Sequence, residues 1–262
     1  MRNLLRADFF RIFKHKLSLV SLIIAVVFPV ALAGIFFGLK KLLTFGDADV
    51  ETDLGMLLNA HAVVSSTFSF TNNFGIVMPI FATIIIMADI NSGTIRNKII
   101  LGYSRHKIFA SHFLTSLVYC LVLMTVYAGM TVLWSVLFFG KGEITREHAM
   151  SLLYFFILGL LLFAMVSVIC TSLSLLTFHN VGAIILTLVI CMGLGLATSL
   201  ISAFDYSKFE HVMHFIPTFV VNIFQMKEIS LTMFIEALVG TVAFGGLFYI
   251  LGTFGFARKD LK

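Results

Sequence analysis

The sequence predicts an all-α membrane protein with six transmembrane helices, and three observations carry that prediction. Apolar residues make up 60% of the 262-residue chain and its mean hydropathy is +1.05, against roughly 45–50% apolar for an ordinary soluble domain. Charge-free intervals recur at bilayer length, as expected when a charge at the centre of an inserted helix costs about 2.5–3.5 kcal/mol. Basic residues gather in the segments that alternate with those intervals. No polar stretch is long enough to fold alone, so a single membrane domain over 17–262 is expected, preceded by a short helix over 1–16.

The opening MRNLLRADFFRIFKHK places Leu4, Leu5, Phe9, Ile12 and Phe13 at helical spacing, with Arg2, Arg6, Asp8 and Arg11 on the other side. That pattern predicts an amphipathic interfacial helix in the headgroup layer. A basic start, an apolar run and ALAG at 31–34 also imitate a secretory signal. Against a signal, the basic segment is long and the apolar run continues through Phe36, Phe37 and Leu39. Span one is 17–39, about 35 Å as a helix against a ~30 Å hydrocarbon core.

Span two lies within 54–88, from about residue 67 onward, with Pro79 inside it, and span three lies within 108–140. His148 to Phe204 carries no formal charge, which accommodates spans four and five joined at the polar break Thr177 to Asn180. Span six is 237–257, closed by the basic tail RKDLK. Between spans five and six, Asp205 to Glu228 is amphipathic, with Phe209, Val212, Met213, Phe215 and Ile216 clustered before Pro217. It reads as a re-entrant or interfacial helical segment. With the N-terminus inside, the inner segments hold 12 of the 18 Lys and Arg and three of the 13 acids. The excess of Lys and Arg predicts an N-in, C-in topology.

Several chemistries find no support in the sequence. Cys120, Cys170 and Cys191 lie inside apolar runs at no metal-ligand spacing. Asp47, Asp49, Glu51 and Asp53 alternate like the start of a calcium loop, but Thr52 and Leu58 stand where Gly and Glu are needed. Glu210, His211 and His214 share one helical face, yet a third ligand is not evident, so no metal site is expected. No nucleophile and base occur at a recognisable spacing, so an enzyme is not expected. Neither GYSRHK nor GKGE satisfies the phosphate-loop pattern, and no chain of acids runs through the spans for proton coupling. Glu236 opens the sixth apolar run and is a candidate gate or contact for a cationic cargo, simple interfacial placement being the alternative. GIFFG at 34–38 permits close helix approach, as at a dimer seam.

The most distinctive stretch is 89–107, DINSGTIRNKIILGYSRHK. Asn91 or Ser92 is suited to cap a short helix and Gly102 to stop it. Ile95, Ile99 and Ile100 are expected to form one face, Ser104 to cap span three, and Arg105 and Lys107 to anchor in an anionic leaflet. A short helix held crosswise between two membrane helices transmits a push; a solvated loop made basic by topology alone is the alternative.

The run GTIRNKIILGYSRHKIFAS resembles the cytoplasmic loop between the second and third spans of ATP-binding-cassette type-2 permeases. Gly93, Thr94, Ile95 and Arg96, followed by Gly102, Ser104 and Arg105, carry the resemblance. It implies a coupling helix that docks into a separate ATPase subunit, with Asp89, Ser92, Lys98 and Ile99 completing the set of coupling residues. It further implies two permease chains, identical or different, two ATPase subunits that bind ATP and magnesium, and no cofactor in this chain. The setting so implied is the bacterial cytoplasmic membrane. The implied activity is export of hydrophobic or amphipathic cargo such as peptides, toxins or peptide antibiotics; an ATPase-independent carrier or channel is the alternative. No nucleic acid is expected as a partner.

Overall fold

The computed structural model describes residues 2–45, 60–69, 74–140, 146–203, 210–224 and 228–259. Within them every regular element is a helix: α1 Arg2–Lys14, α2 Lys16–Phe45, α3 Ala60–Ser65, α4 Phe74–Asn91, α5 Thr94–Ile100, α6 Arg105–Phe139, α7 Arg146–Thr177, α8 Asn180–Ser202, α9 Glu210–His214, α10 Phe219–Ile223 and α11 Leu231–Arg258. Of these, α2, α4, α6, α7, α8 and α11 are long and apolar enough to cross a membrane. The protein is a multi-pass membrane protein. The acidic stretch Asp47 to Asp53 lies outside the described residues.

Helix ends depart from the charge-free intervals because charged side chains reach out of the slab on flexible stems. Helix α2 runs past Leu39, and Lys40 and Lys41 lie over the rings of Phe139 and Phe37 at 5.8 and 5.0 Å. At α11 the start falls earlier than the apolar run, because Ser230 caps it by accepting from the Met233 amide at 3.4 Å. Glu236 therefore sits inside the helix rather than before it. Span two also begins later than expected, at Phe74, after the separate short helix α3.

Helix α7 runs through the middle of the bundle. It buries Phe155, Leu158, Leu162, Phe163, Val166, Ile169 and Cys170 and packs on α4, α6, α8 and α11. Because lipid is as apolar as leucine, such contacts depend on close packing and hydrogen bonds. Ser172 Oγ donates to the Phe248 carbonyl at 3.0 Å, and Gly252 lies so near Ser172 and Phe109 that a side chain there would collide with both. Stacked rings add to the packing, Phe74 on Tyr127 at 4.7 Å and Phe155 on Phe224 at 4.3 Å. Around Gly34 and Gly38, by contrast, an added Cβ would meet nothing within 4 Å.

Two contacts gather the ends of α4, α6, α8 and α11 around α5. Arg105 Nη1 donates to the carbonyls of Ala257 at 3.0 Å and Phe256 at 3.4 Å, closing the exposed carbonyl end of α11. Asn91 Nδ2 donates to Asn180 Oδ1 at 2.9 Å, which brings the α7–α8 turn to the same end. In that turn Phe178 takes a left-handed backbone, φ 55°, with its ring over Phe256 and beneath Lys259. Helices α9 and α10 and the start of α11 occupy the opposite end.

Candidate functional site

At the basic end, the stripe that α1 turns to the bundle joins Leu4 and Ile12 of its apolar face to Asp8, which the amphipathic pattern assigned to the other side. Leu4, Asp8 and Ile12 are buried, one helical turn apart, while Phe10 and Phe13 are exposed. Asp8 is only 2% exposed. A carboxylate buried that deeply must be paired and hydrogen-bonded, and α5 and α6 supply the partners. Lys98 Nζ donates to Asp8 Oδ1 at 2.7 Å, and Ser111 Oγ donates to Oδ2 at 2.6 Å.

A second carboxylate completes the network. Asp89, near the end of α4, is ion-paired with Arg11 of α1, and Arg11 Nη1 also donates to Thr94 Oγ1 at 2.7 Å. His112 lies between the two halves. Lys98 Nζ stands 3.2 Å from its Nε2 and has only hydrogens to give, so Nε2 accepts and the ring proton sits on Nδ1. That Nδ1 faces Asp89 at 3.6 Å, an electrostatic contact rather than a hydrogen bond. Two carboxylates and two fixed cations cancel, which lets Asp8, Asp89 and Lys98 be buried together while Arg11 stays half-buried.

Proton affinities follow from this arrangement. Burial alone would raise the Asp8 carboxyl, but the neighbouring His112, Lys98 and Ser111 outweigh it and hold it below the usual carboxylate range. Burial pushes the Lys98 ammonium below its usual value, with Asp8 opposing the shift.

The network ties α5 to α1 and α6. Its start is not capped by Asn91 or Ser92. Asn91 belongs to α4, and Ser92 Oγ is occupied by the Asp89 carbonyl at 3.1 Å and by Thr94 Oγ1 at 2.6 Å. The chain instead breaks at Gly93, φ +69°, a backbone that glycine adopts at little cost. Gly102, φ +84°, ends the segment as expected. Ser104 occupies the cap position of α6 with extended backbone but makes no side-chain capping bond.

The expected isoleucine face is corrected in one member. Ile95 is buried beside Ile108, Phe109, Leu175 and Phe256, and Ile99 packs against the same cluster. Ile100 is 76% exposed and Leu101 75%. Residues 95, 98 and 99 share a stripe, whereas position 100 lies about 140° round the helix. The exposed side of α5 and the residue after it is thus Arg96, Asn97, Ile100 and Leu101.

Of the eleven expected coupling residues, Asp89, Ile95 and Lys98 face inward, Gly93, Thr94, Ile99 and Arg105 are half-buried, and Ser92, Arg96, Gly102 and Ser104 are exposed. Lys98 and Arg105, expected among the coupling residues, are held within the protein, one inside the network and the other closing α11. Asp8, Arg11, Ser111 and His112 were missed as partners. The available signal was an aspartate one helical turn from buried aliphatics in a basic segment, and a histidine in the second turn of span three.

The family described as "Protein of unknown function (DUF2705)" matches residues 22–262, from α2 to the end of the chain. The chain belongs to the DUF2705 family. No curated protein matches it. The match takes in α4, α5 and α6, and so includes Asp89, Lys98 and His112 but not the α1 side of the network.

Glu236 lies at the other end, in the second turn of α11. It is half-buried and bonded to His211 and His214 of α9 at 2.8 and 2.6 Å.

Proposed function

We propose that this chain is the membrane-spanning permease subunit of an ATP-driven exporter, worked by a separate ATPase subunit that docks on α5. The observation that carries the reading is the division of α5 into two faces. Its inner face is tied by the buried Lys98–Asp8 ion pair, the Arg11–Thr94 hydrogen bond and apolar contacts to α1, α4 and α6, and its outer face presents Arg96, Asn97, Ile100 and Leu101. Two large aliphatic side chains beside a cation, exposed at a helix end, suit a protein partner rather than water. A push on that face is delivered to two membrane helices at once, because Lys98 and Ile95 leave α5 little room to tilt alone.

The lysine and arginine excess supports an inward-facing α5 with both termini on that side. Two permease chains with two ATPase subunits follow from the resemblance to type-2 permeases. Cargo of hydrophobic or amphipathic character, such as peptides or toxins, fits the groove between α6, α7 and α11, lined by Phe113, Leu117, Met165, Val168 and Val242.

The test joins docking to transport. Ile100→Cys is expected to crosslink to a copurifying ATPase subunit, and Arg96→Glu and Leu101→Asp are expected to abolish both copurification and ATP-dependent transport in vesicles. Transport by the purified chain without any ATPase would replace this reading with an independent carrier or channel.

A further inference from the structure

Sequence spacing offers His211 and His214 as two ligands of one helical face, and the fold brings the third. His211 Nδ1, His214 Nδ1 and the Glu236 carboxylate converge with their ligand atoms within 4.8 Å of one another. We propose that these three side chains bind a divalent transition-metal ion, zinc by its ligand preference, that clasps α9 to the first turns of α11. This site is separate from the α5 face on which the functional reading rests.

Donor chemistry selects the ion. Two imidazoles and one carboxylate are a set used by zinc sites that keep an open position. Oxygen-seeking calcium and magnesium prefer carboxylates and carbonyls.

The trio is held together by the fold rather than by chance of rotamers. Helix α9 ends on α11 at Gly240, one turn beyond Glu236, where a Cβ would collide with the Phe215 carbonyl oxygen. That close approach sets His214 against Glu236. The His214 ring is 4% exposed and packs on Phe219, whereas His211 is 79% exposed and open to an arriving ion.

A second observation points the same way. With Nδ1 of His214 bonded to Glu236, its Nε2 is buried without a hydrogen-bond partner. An unpaired buried polar atom is costly. Metal binding at Nδ1 moves the ring proton to Nε2, which then becomes a donor facing Glu210 Oε1, now 3.9 Å away. A metal-bound histidine ordinarily directs its other N–H at a carboxylate in this way. The Nδ1-to-carboxylate distances of 2.6 and 2.8 Å are those of hydrogen bonds. Zinc bonds of about 2.0–2.1 Å require a separation near 3.3 Å, so Glu236 must withdraw by roughly half an ångström. In each neutral imidazole the proton that leaves Nδ1 is carried by Nε2 of the same ring, so the hydrogen bond is exchanged for a metal bond without net loss of a proton.

The test uses the full chain in detergent with a purification tag free of histidine. Titration with zinc alone, and with cobalt for its visible absorption, is expected to show one ion per chain and a rise in thermal stability on loading. His211→Ala, at an exposed position that folding does not need, and Glu236→Gln are each expected to weaken binding more than about 100-fold. Glu210→Gln should weaken it by roughly 10- to 100-fold, as expected for a residue that only orients a ligand. Loss of binding in these variants with the circular dichroism and α5-dependent copurification retained would support the site independently of the exporter reading. Absence of stoichiometric binding to the wild-type chain at micromolar zinc, or undiminished affinity in both His211→Ala and Glu236→Gln, overturns it.

Discussion

The two ends of the bundle handle charge in opposite ways. At the α5 end, Asp8, Asp89, Arg11 and Lys98 cancel, and both carboxylates and Lys98 are buried. At the α9 end, one carboxylate faces two histidines, one of them fully open, and a buried nitrogen has no partner. A network whose carboxylates already face fixed cations serves to hold elements in place. A carboxylate that faces only histidines has room for a cation. Neither depth of burial nor the count of satisfied donors separates the two ends, since each holds buried nitrogen without a hydrogen-bond partner; the presence of fixed cations opposite the carboxylates does.

The largest effect is expected from breaking the charge-balanced end. Lys98→Met leaves Asp8 buried without its cation and should cost about 3–5 kcal/mol in thermal unfolding in detergent. Asp8→Asn combined with Lys98→Met should lose much less than the sum of the single changes, since the two side chains contact each other directly. Additive losses would deny that they act as a pair. The pH dependence has a definite sign: the Asp8 carboxyl titrates below its unfolded value. Its stabilisation is complete above about pH 4 and is lost only as pH falls through the lowered value. Melting curves at pH 5 and 7 should therefore coincide as far as Asp8 is concerned.

At the α9 end, Glu236→Gln without metal should cost less than Lys98→Met, because the amide oxygen still accepts from the buried His214 and water replaces much of what the exposed His211 loses. A loss matching that of Lys98→Met would erase the contrast between the two ends. The smallest effect is expected on the outer face of α5, where Ile100→Asp should leave the melting temperature unchanged within the equivalent of about 0.5 kcal/mol. A large destabilisation there would mean that Ile100 is held by the bundle and is not a surface for a partner.

How much of this was legible in the sequence differs from element to element. Spans α2, α6, α7, α8 and α11 follow from charge-free length, because a bilayer imposes the same one-dimensional rule on every segment. The glycine stop at Gly102 and the two-residue turn before Asn180 follow from local backbone chemistry. The inward turn of Asp8, the outward position of Ile100 and the third side chain for His211 and His214 did not follow. Each depends on where a helix lands against another, and amphipathic spacing gives a face without saying what it meets.

The sequence by itself determined the medium, the number of helices long enough to cross it and a short basic segment between the second and third spans. Composition and spacing suffice for these because hydrophobic burial is non-directional and adds up along the chain. Only the tertiary structure decided which charges neutralise one another and which remain open. Asp8 and Lys98 are 90 residues apart in the chain and 2.7 Å apart in the fold. His214 and Glu236 meet because Gly240 lets α9 rest on the backbone of α11. Coulombic and hydrogen-bond energies depend on distance and direction, quantities that exist only once the helices have packed.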